Sequence, residues 1–159
     1  MAWLVPWLLF LHILSAIVAF GPTFAFAIYG AQAGKEPQHA NFMARANHVV
    51  SDRLVFPLVL SMPVTGILII IASGRDLTKS AWLAAAIVIY VFAVLYSYFV
   101  QRPATLKIIE LTSTPPPAGA AGGPPPEVVA TAAKIRQGGM ILGLSVIVIV
   151  LLMVVKPGQ

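Results

Sequence analysis

The chain has 159 residues, of which 59% are hydrophobic and only 9% are charged. This composition excludes a soluble globular domain of this size and predicts an all-α, polytopic membrane protein. The absence of cysteine excludes disulfides, thiolate metal ligands, thiol nucleophiles and covalently attached c-type haem. The net charge of +5 comes from basic residues that flank apolar runs, so it indicates membrane topology and not nucleic-acid binding.

Four apolar runs approach the roughly 20 residues that a helix needs to cross a bilayer core. They predict spans at about 3–30, 50–73, 81–101 and 138–155 within a single membrane domain, 1–159. We therefore expect an antiparallel four-transmembrane-helix bundle surrounded by the lipid bilayer. The first run lacks a basic start and far exceeds the ~7–15 apolar residues of a signal peptide, so we expect it to be a span.

His12 is the only ionisable side chain in the first apolar run. A histidine inside a bilayer is costly and usually faces a protein interior, a water-filled cavity or a cofactor. Its helical face carries small residues that let a neighbouring helix or a flat ligand approach closely: Ser15, Ala16, Ala19 and Thr23. We predict that His12 lies against the second span, either as a ligand or as the partner in a packing hydrogen bond.

The polar stretch before the second span has no helix breaker between Pro37 and Pro57. This predicts a helix that begins near Pro37 and continues into the second span. His39 and His48 lie on its polar part, but no third metal ligand completes a cluster at helical spacing. We therefore expect these two histidines to be solvated.

Three side chains of the second span are candidates to join His12. Ser61 and Thr65 share one helical face and can satisfy backbone groups that neighbouring prolines leave free. Met62 either fills the core or acts as a haem ligand.

His48 lies near the far end of the first helix, about 27 Å from His12 at 1.5 Å per residue, so these histidines cannot ligate one haem in a monomer. A single-histidine haem, a His12/Met62 haem and a haem in a dimer remain open.

Beyond the third span the chain becomes rich in proline. Arg102-Pro103 is expected to end or bend the third helix. Residues 112–126 combine two proline triplets with alanine and glycine, which predicts a flexible linker. The fourth helix is predicted to begin near Glu127. Gly139 and Gly143 form a small-xxx-small pair that permits close contact with another helix.

The distribution of Lys and Arg predicts the orientation. Seven basic residues lie in or beside the loops 31–49 and 102–137, and three lie on the opposite side. The positive-inside rule therefore predicts that these two loops are cytoplasmic, that both termini lie outside, and that the protein crosses the cell membrane several times.

Two stretches carry a resemblance to known membrane proteins: LHILSAIVAFG at 11–21 and RLVFPLVLSMPVTG at 53–66. They resemble the first two helices of the membrane-bound, four-helix protoporphyrinogen IX oxidases, and equally a related family of predicted four-helix integral membrane proteins of unknown function. The oxidase resemblance implies haem binding by His12. The oxidases have a lysine after a Trp-Leu pair in helix three, whereas three alanines follow Trp82-Leu83 here, which argues against the oxidase activity.

Two functions of different classes follow. The first is association with a b-type haem or porphyrin, with His12 as the metal ligand and Ser61, Met62 and Thr65 as further cofactor-binding residues. The second is a non-catalytic structural or accessory subunit of a membrane assembly, either a homo-oligomer or a complex with other membrane subunits, in which His12 makes a packing hydrogen bond. A transporter is less favoured because the spans carry no other ionisable relay. No catalytic residue is identified.

Overall fold

The computed structural model describes residues 2–76, 80–114 and 123–158, and every element in these ranges is a helix. Helix α1 (Val5–Lys35) follows a 3-10 turn at Ala2–Leu4. A second rod joins a 3-10 turn (Pro37–His39), α2 (Ala40–Val50), a π-helical turn (Ser51–Val55) and α3 (Phe56–Ser73). A third rod joins α4 (Ala81–Tyr96), a second π-helical turn (Ser97–Gln101) and α5 (Arg102–Leu111), and α6 (Pro126–Val155) is the fourth.

Each of the four rods is long and apolar enough to cross a membrane, with a mean hydropathy of 2.0 to 2.9 over its most apolar window. Many large apolar side chains stay exposed on the outside of the bundle, as lipid-facing residues do; Trp7, Ile71 and Val154 are examples. These observations confirm the predicted all-α fold with four membrane-length helices.

The helix boundaries agree with the predicted starts of two helices. The second rod begins at Pro37 and continues without a break to Ser73, and α6 begins at Pro126, so both predicted starts are confirmed. At Arg102-Pro103, where the sequence predicts an end or a bend, a π-helical turn precedes the proline and the chain remains helical to Leu111. The predicted flexible linker lies largely at 115–122, outside the described residues, and stays a prediction.

Prolines explain the two π-helical turns. Pro57 and Pro103 have no amide hydrogen, and their rings would clash with the carbonyl four residues earlier in a regular α-helix. The residue before each proline instead donates its amide to the carbonyl five residues back: Phe56 to Ser51 and Arg102 to Ser97. The wider turn lets each helix pass its proline without breaking.

The helices form an antiparallel bundle. Helix α1 packs on α3 and α6, and α6 also packs on α4, whereas α3 and α4 have little direct backbone contact. Helices α2 and α5 pack together at one end, which we call the extension end. There the Asn41 side-chain amide donates to the Ile109 carbonyl at 2.8 Å. Further along the same two rods, Asp52 forms an ion pair with Arg102. Residue numbers increase from Asn41 to Asp52 along the second rod, while those of their partners decrease from Ile109 to Arg102 along the third. This confirms the antiparallel arrangement.

One glycine allows α6 to approach the end of α4. A Cβ on the buried Gly138 would overlap the Gln101 side-chain amide and lie 3.3 Å from Cε1 of Tyr96. The same amide donates to the Ile135 carbonyl at 3.0 Å. Gly143 lies close to Phe24 of α1, at 3.8 Å from a Cβ built on it, whereas Gly139 has no such neighbour within 4 Å. The predicted glycine pair is therefore wrong at Gly139, because the close approach occurs one residue earlier.

This difference predicts opposite behaviour for two neighbouring alanine substitutions. Gly138→Ala should leave the protein about 1 kcal/mol less stable than Gly139→Ala, because only the former displaces the hydrogen bond from Gln101 to Ile135. The two variants gain the same helix propensity, so that contribution cancels. Reversible unfolding in mixed detergent micelles measures the difference. Equal stability of the two variants would show that the close contact at Gly138 has no energetic consequence.

Candidate functional site

His12 lies half-buried in the interface between α1 and α3. Its Nδ1 atom is 2.7 Å from Oγ1 of Thr65. Ala19, on the same face of α1, is fully buried, so this face points into the bundle. The predicted contact of His12 with the second span near Thr65 is confirmed.

The hydrogen bonds of Thr65 fix the direction of this contact. A hydroxyl has one proton to donate. The Thr65 hydroxyl lies 3.0 Å from the Met62 carbonyl, which accepts that proton, with the Ser61 carbonyl at 3.4 Å. With that hydrogen donated to the Met62 carbonyl, Nδ1 of His12 is assigned as the donor to Thr65. This tautomer leaves Nε2 of His12 with a free lone pair.

The other predicted site residues are committed to packing on α3. Met62 is buried, with 7% of its surface exposed. The Ser61 hydroxyl donates to the Leu58 carbonyl at 2.7 Å, within its own helix. A Cβ on Gly66 would lie 3.6 Å from Cε1 of His12, so the imidazole ring lies against the α3 backbone. The structure thus brings His12 to Thr65 and Gly66, and places Met62 and Ser61 within one turn of that contact.

This geometry limits how a haem would fit. A porphyrin between His12 and Met62 would have to separate α1 from α3, because His12 is hydrogen-bonded to Thr65 across that interface. The arrangement does not fit a haem with both residues as axial ligands. A ligand bound only through Nε2 of His12 would leave the hydrogen bond intact. The cofactor role of His12, Ser61, Met62 and Thr65 stays a prediction.

A second polar cluster, which sequence reasoning missed, lies at the extension end. Arg102 donates to both carboxylate oxygens of Asp52, from Nη2 at 3.1 Å and from Nε at 3.4 Å. Nε2 of His48 lies 3.6 Å from the same carboxylate. Asp52 belongs to the first π-helical turn and Arg102 directly follows the second, so this ion pair joins the two irregular turns.

The cluster corrects one expectation about the histidines. His39 is 56% exposed, as expected for a solvated residue, but His48 is only 21% exposed and pairs with Asp52. The spacing of four residues between His48 and Asp52 was a visible signal. The third member, Arg102, is 50 residues away in the chain, so no local pattern could identify it. Across 2–76, 80–114 and 123–158 no three His, Cys, Asp or Glu side chains are grouped as metal ligands.

A cleft separates α3 from α4 in the apolar part of the bundle. All four long helices contribute to its lining, with a cavity of about 60 Å³ at its centre. The lining is almost entirely apolar and consists of Phe20, Thr23, Val55, Phe56, Val59, Tyr90, Ala93, Val94, Ser97, Leu142, Val146 and Ile149. Thr23 and Ser97 line this space, and neither hydroxyl makes a hydrogen bond to a described residue.

A tyrosine bridges the cleft at the position where α3 needs a donor. Pro63 has no amide, so the Val59 carbonyl loses its partner in the helix. The Tyr90 hydroxyl of α4 donates to that carbonyl at 2.6 Å. Because the whole tyrosine side chain lies between the two helices, the contact satisfies the carbonyl while keeping the backbones apart.

Comparison with known proteins agrees with the membrane fold. No curated protein and no solved structure matches the chain. A family model described as "Predicted integral membrane protein (DUF2269)" matches residues 6–157. The match agrees with the resemblance to predicted integral membrane proteins of unknown function, and no comparison points to the protoporphyrinogen IX oxidases. The chain belongs to the DUF2269 family of predicted integral membrane proteins.

Proposed function

We propose that this protein is a non-catalytic structural or accessory subunit of a membrane assembly, in which His12 fastens α1 to α3. The observation that carries the proposal is the 2.7 Å hydrogen bond from His12 to Thr65. The remaining predicted site residues support it, because Met62 is buried and Ser61 is bonded within its own helix. The partners are other copies of the chain or other membrane subunits.

The cost of an unpaired imidazole in hydrocarbon makes this bond consequential. An interhelical hydrogen bond in a membrane contributes about 0.6 kcal/mol on average and up to about 2 kcal/mol. Pro63 removes one backbone hydrogen bond from α3 close to the contact. The hydrogen bond between His12 and Thr65 therefore contributes more to the stability of α3 here than it would beside an unbroken helix.

A double-mutant cycle between the two residues tests the packing role. His12→Ala should lower the free energy of unfolding by about 0.6–2 kcal/mol. Thr65→Val should lower it by most of the same amount, because it removes the same hydrogen bond. The double variant should therefore be no less stable than the worse single variant. Unfolding by denaturing detergent supplies the free energies.

The matched control is Thr105→Val, which removes a hydroxyl that bonds only the Gln101 carbonyl of its own rod. It should show no coupling to His12→Ala. Strictly additive losses at His12 and Thr65 would contradict the packing role.

A second candidate, association with a b-type haem or porphyrin through His12, is favoured by one observation. Nδ1 of His12 lies 2.7 Å from the Thr65 hydroxyl, so Nε2 is the nitrogen left for a ligand, and histidines that bind metals usually make a hydrogen bond through their other ring nitrogen. When bound, the iron would supply redox or ligand-binding chemistry. Thr65 would orient the imidazole. Ser61 and Met62 would shape its surroundings without coordinating the iron.

An absorption spectrum separates the two candidates. The packing role predicts that protein purified from haem-replete cells in mild detergent shows no Soret band, and that added haem binds equally to wild type and to His12→Ala. A stoichiometric Soret band that His12→Ala abolishes and Thr65→Val shifts would establish the haem role instead. Retained helicity by circular dichroism shows that each variant is folded.

We further propose that the protein lies in the cell membrane with the extension end in the cytoplasm. The support is the basic bias of the loops 31–49 and 102–137, which the bundle brings to this end. The two termini and the connection from α3 to α4 would then lie outside.

Single cysteines test this orientation, because the native chain has none. A membrane-impermeant maleimide applied to intact cells should label Ser73→Cys and leave Gln38→Cys unlabelled until the cells are opened. Both positions are exposed, on opposite ends of the second rod. The reverse pattern would place the extension end outside.

A further inference from the structure

The cleft between α3 and α4 has an apolar part and a charged end. Residues from Leu142 to Ile149 of α6 line its floor, a length of about 10 Å at 1.5 Å per residue. Towards the extension end, Phe56 borders both this cleft and a second, shallower pocket formed with Asp52, Tyr98 and Arg102. The apolar cleft and the charged pocket therefore adjoin at Phe56, beside the π-helical turns.

In that pocket, Arg102 has N–H groups that are not used in its ion pair with Asp52. Its Nε and Nη2 atoms donate to Asp52, and no described residue accepts from Nη1. About a third of its side chain is exposed, and its guanidinium lies 5.9 Å from the centre of the Tyr98 ring. An arginine in this state can bind a phosphate as well as its carboxylate, because the guanidinium group has five donors.

The extension end has an excess of positive charge around this pocket. Five basic side chains there have no carboxylate within ion-pair distance among the described residues, namely Lys35, Arg45, Arg53, Lys134 and Arg136. Basic residues next to apolar spans attract anionic lipid headgroups, by about 1 kcal/mol each near the surface. The charge at the end of the cleft is complementary to an anionic ligand.

We propose that this cleft is a binding site for one anionic phospholipid. The phosphate contacts Arg102 at the charged end, and part of one acyl chain lies against the apolar lining between α3 and α4. The cleft is charged at one end and apolar along the rest of its length, as a lipid is. A membrane helix, in contrast, has polar residues at both ends of its apolar segment. This inference does not depend on the role of His12.

The side chains at the mouth of the cleft fit this occupant. Phe56 and Tyr98 contact each other edge to face across the gap, with ring centres 6.2 Å apart. Aromatic rings at this level suit the boundary between headgroup and acyl chain. Deeper in the cleft, Tyr90 is already bonded to Val59, so it presents its ring and not its hydroxyl to an acyl chain.

Native mass spectrometry of the full chain in mild detergent tests the site. Dioleoylphosphatidylglycerol should bind as a single retained lipid, and dioleoylphosphatidylcholine should bind more weakly. Arg102→Gln should weaken phosphatidylglycerol binding by about fivefold or more, the worth of one basic contact near the surface. Ala93→Phe should abolish binding because it fills the cleft. Asp52→Asn should strengthen binding, because it removes a negative charge that repels the phosphate beside Arg102.

Two control variants match these changes outside the cleft. Arg45→Gln removes an exposed basic residue at the same end and should weaken phosphatidylglycerol binding less than Arg102→Gln does; Ala85→Phe adds a ring to the exposed face of α4 and should bind phosphatidylglycerol as wild type does. Equal binding of the two lipids to wild type would overturn the proposal. So would a loss of binding in Asp52→Asn as large as that in Arg102→Gln, because Arg102 would then serve only the ion pair. A photoreactive residue at position 93 that cross-links in membranes to a protein and not to lipid would also overturn it.

Discussion

Polar groups within the apolar part of the bundle determine how closely its helices approach. In hydrocarbon a carbonyl or an imidazole without a partner is costly, so each must find a donor or acceptor on a neighbouring helix. His12 meets the Thr65 hydroxyl directly and holds α1 against α3, where Gly66 leaves room for the ring. The Val59 carbonyl, left free by Pro63, is reached instead by the long side chain of Tyr90. The first contact closes one pair of helices, and the second keeps another pair apart.

The prolines thus have effects beyond their own helices. Pro57 and Pro103 each follow a π-helical turn, and these turns lie side by side because Asp52 and Arg102 form an ion pair across them. The pair closes the bundle at the extension end, where α2 also bonds to α5 through Asn41. Nearer the middle, the tyrosine bridge leaves a cleft between α3 and α4. The second and third rods are therefore closely joined at the extension end, whereas a cleft separates them within the apolar region.

Local patterns in the sequence predicted a large part of this fold. Apolar runs and breaker-free stretches determine where helices lie, so the four spans and the start of the second rod near Pro37 were predictable. The contact of His12 with the second span followed from the cost of a polar group in lipid. The close glycine was assigned to Gly139 in place of Gly138, because the face that α6 turns to α4 depends on helix rotation. The ion pair of Arg102 with Asp52 was not predictable either, since π-helical turns shift the register of both rods and the partners are 50 residues apart.

The packing role proposed for His12 requires that Nδ1 donates to Thr65 and that Nε2 binds no metal. Solid-state nitrogen NMR of protein labelled at histidine, in lipid bilayers, observes both ring nitrogens, and the His12→Asn variant assigns the signals of His12 among the three histidines. The packing role predicts a hydrogen on Nδ1, no hydrogen on Nε2 and a shift of the Nδ1 signal in Thr65→Val. A hydrogen on Nε2, or His12 signals displaced by bound iron, would contradict it.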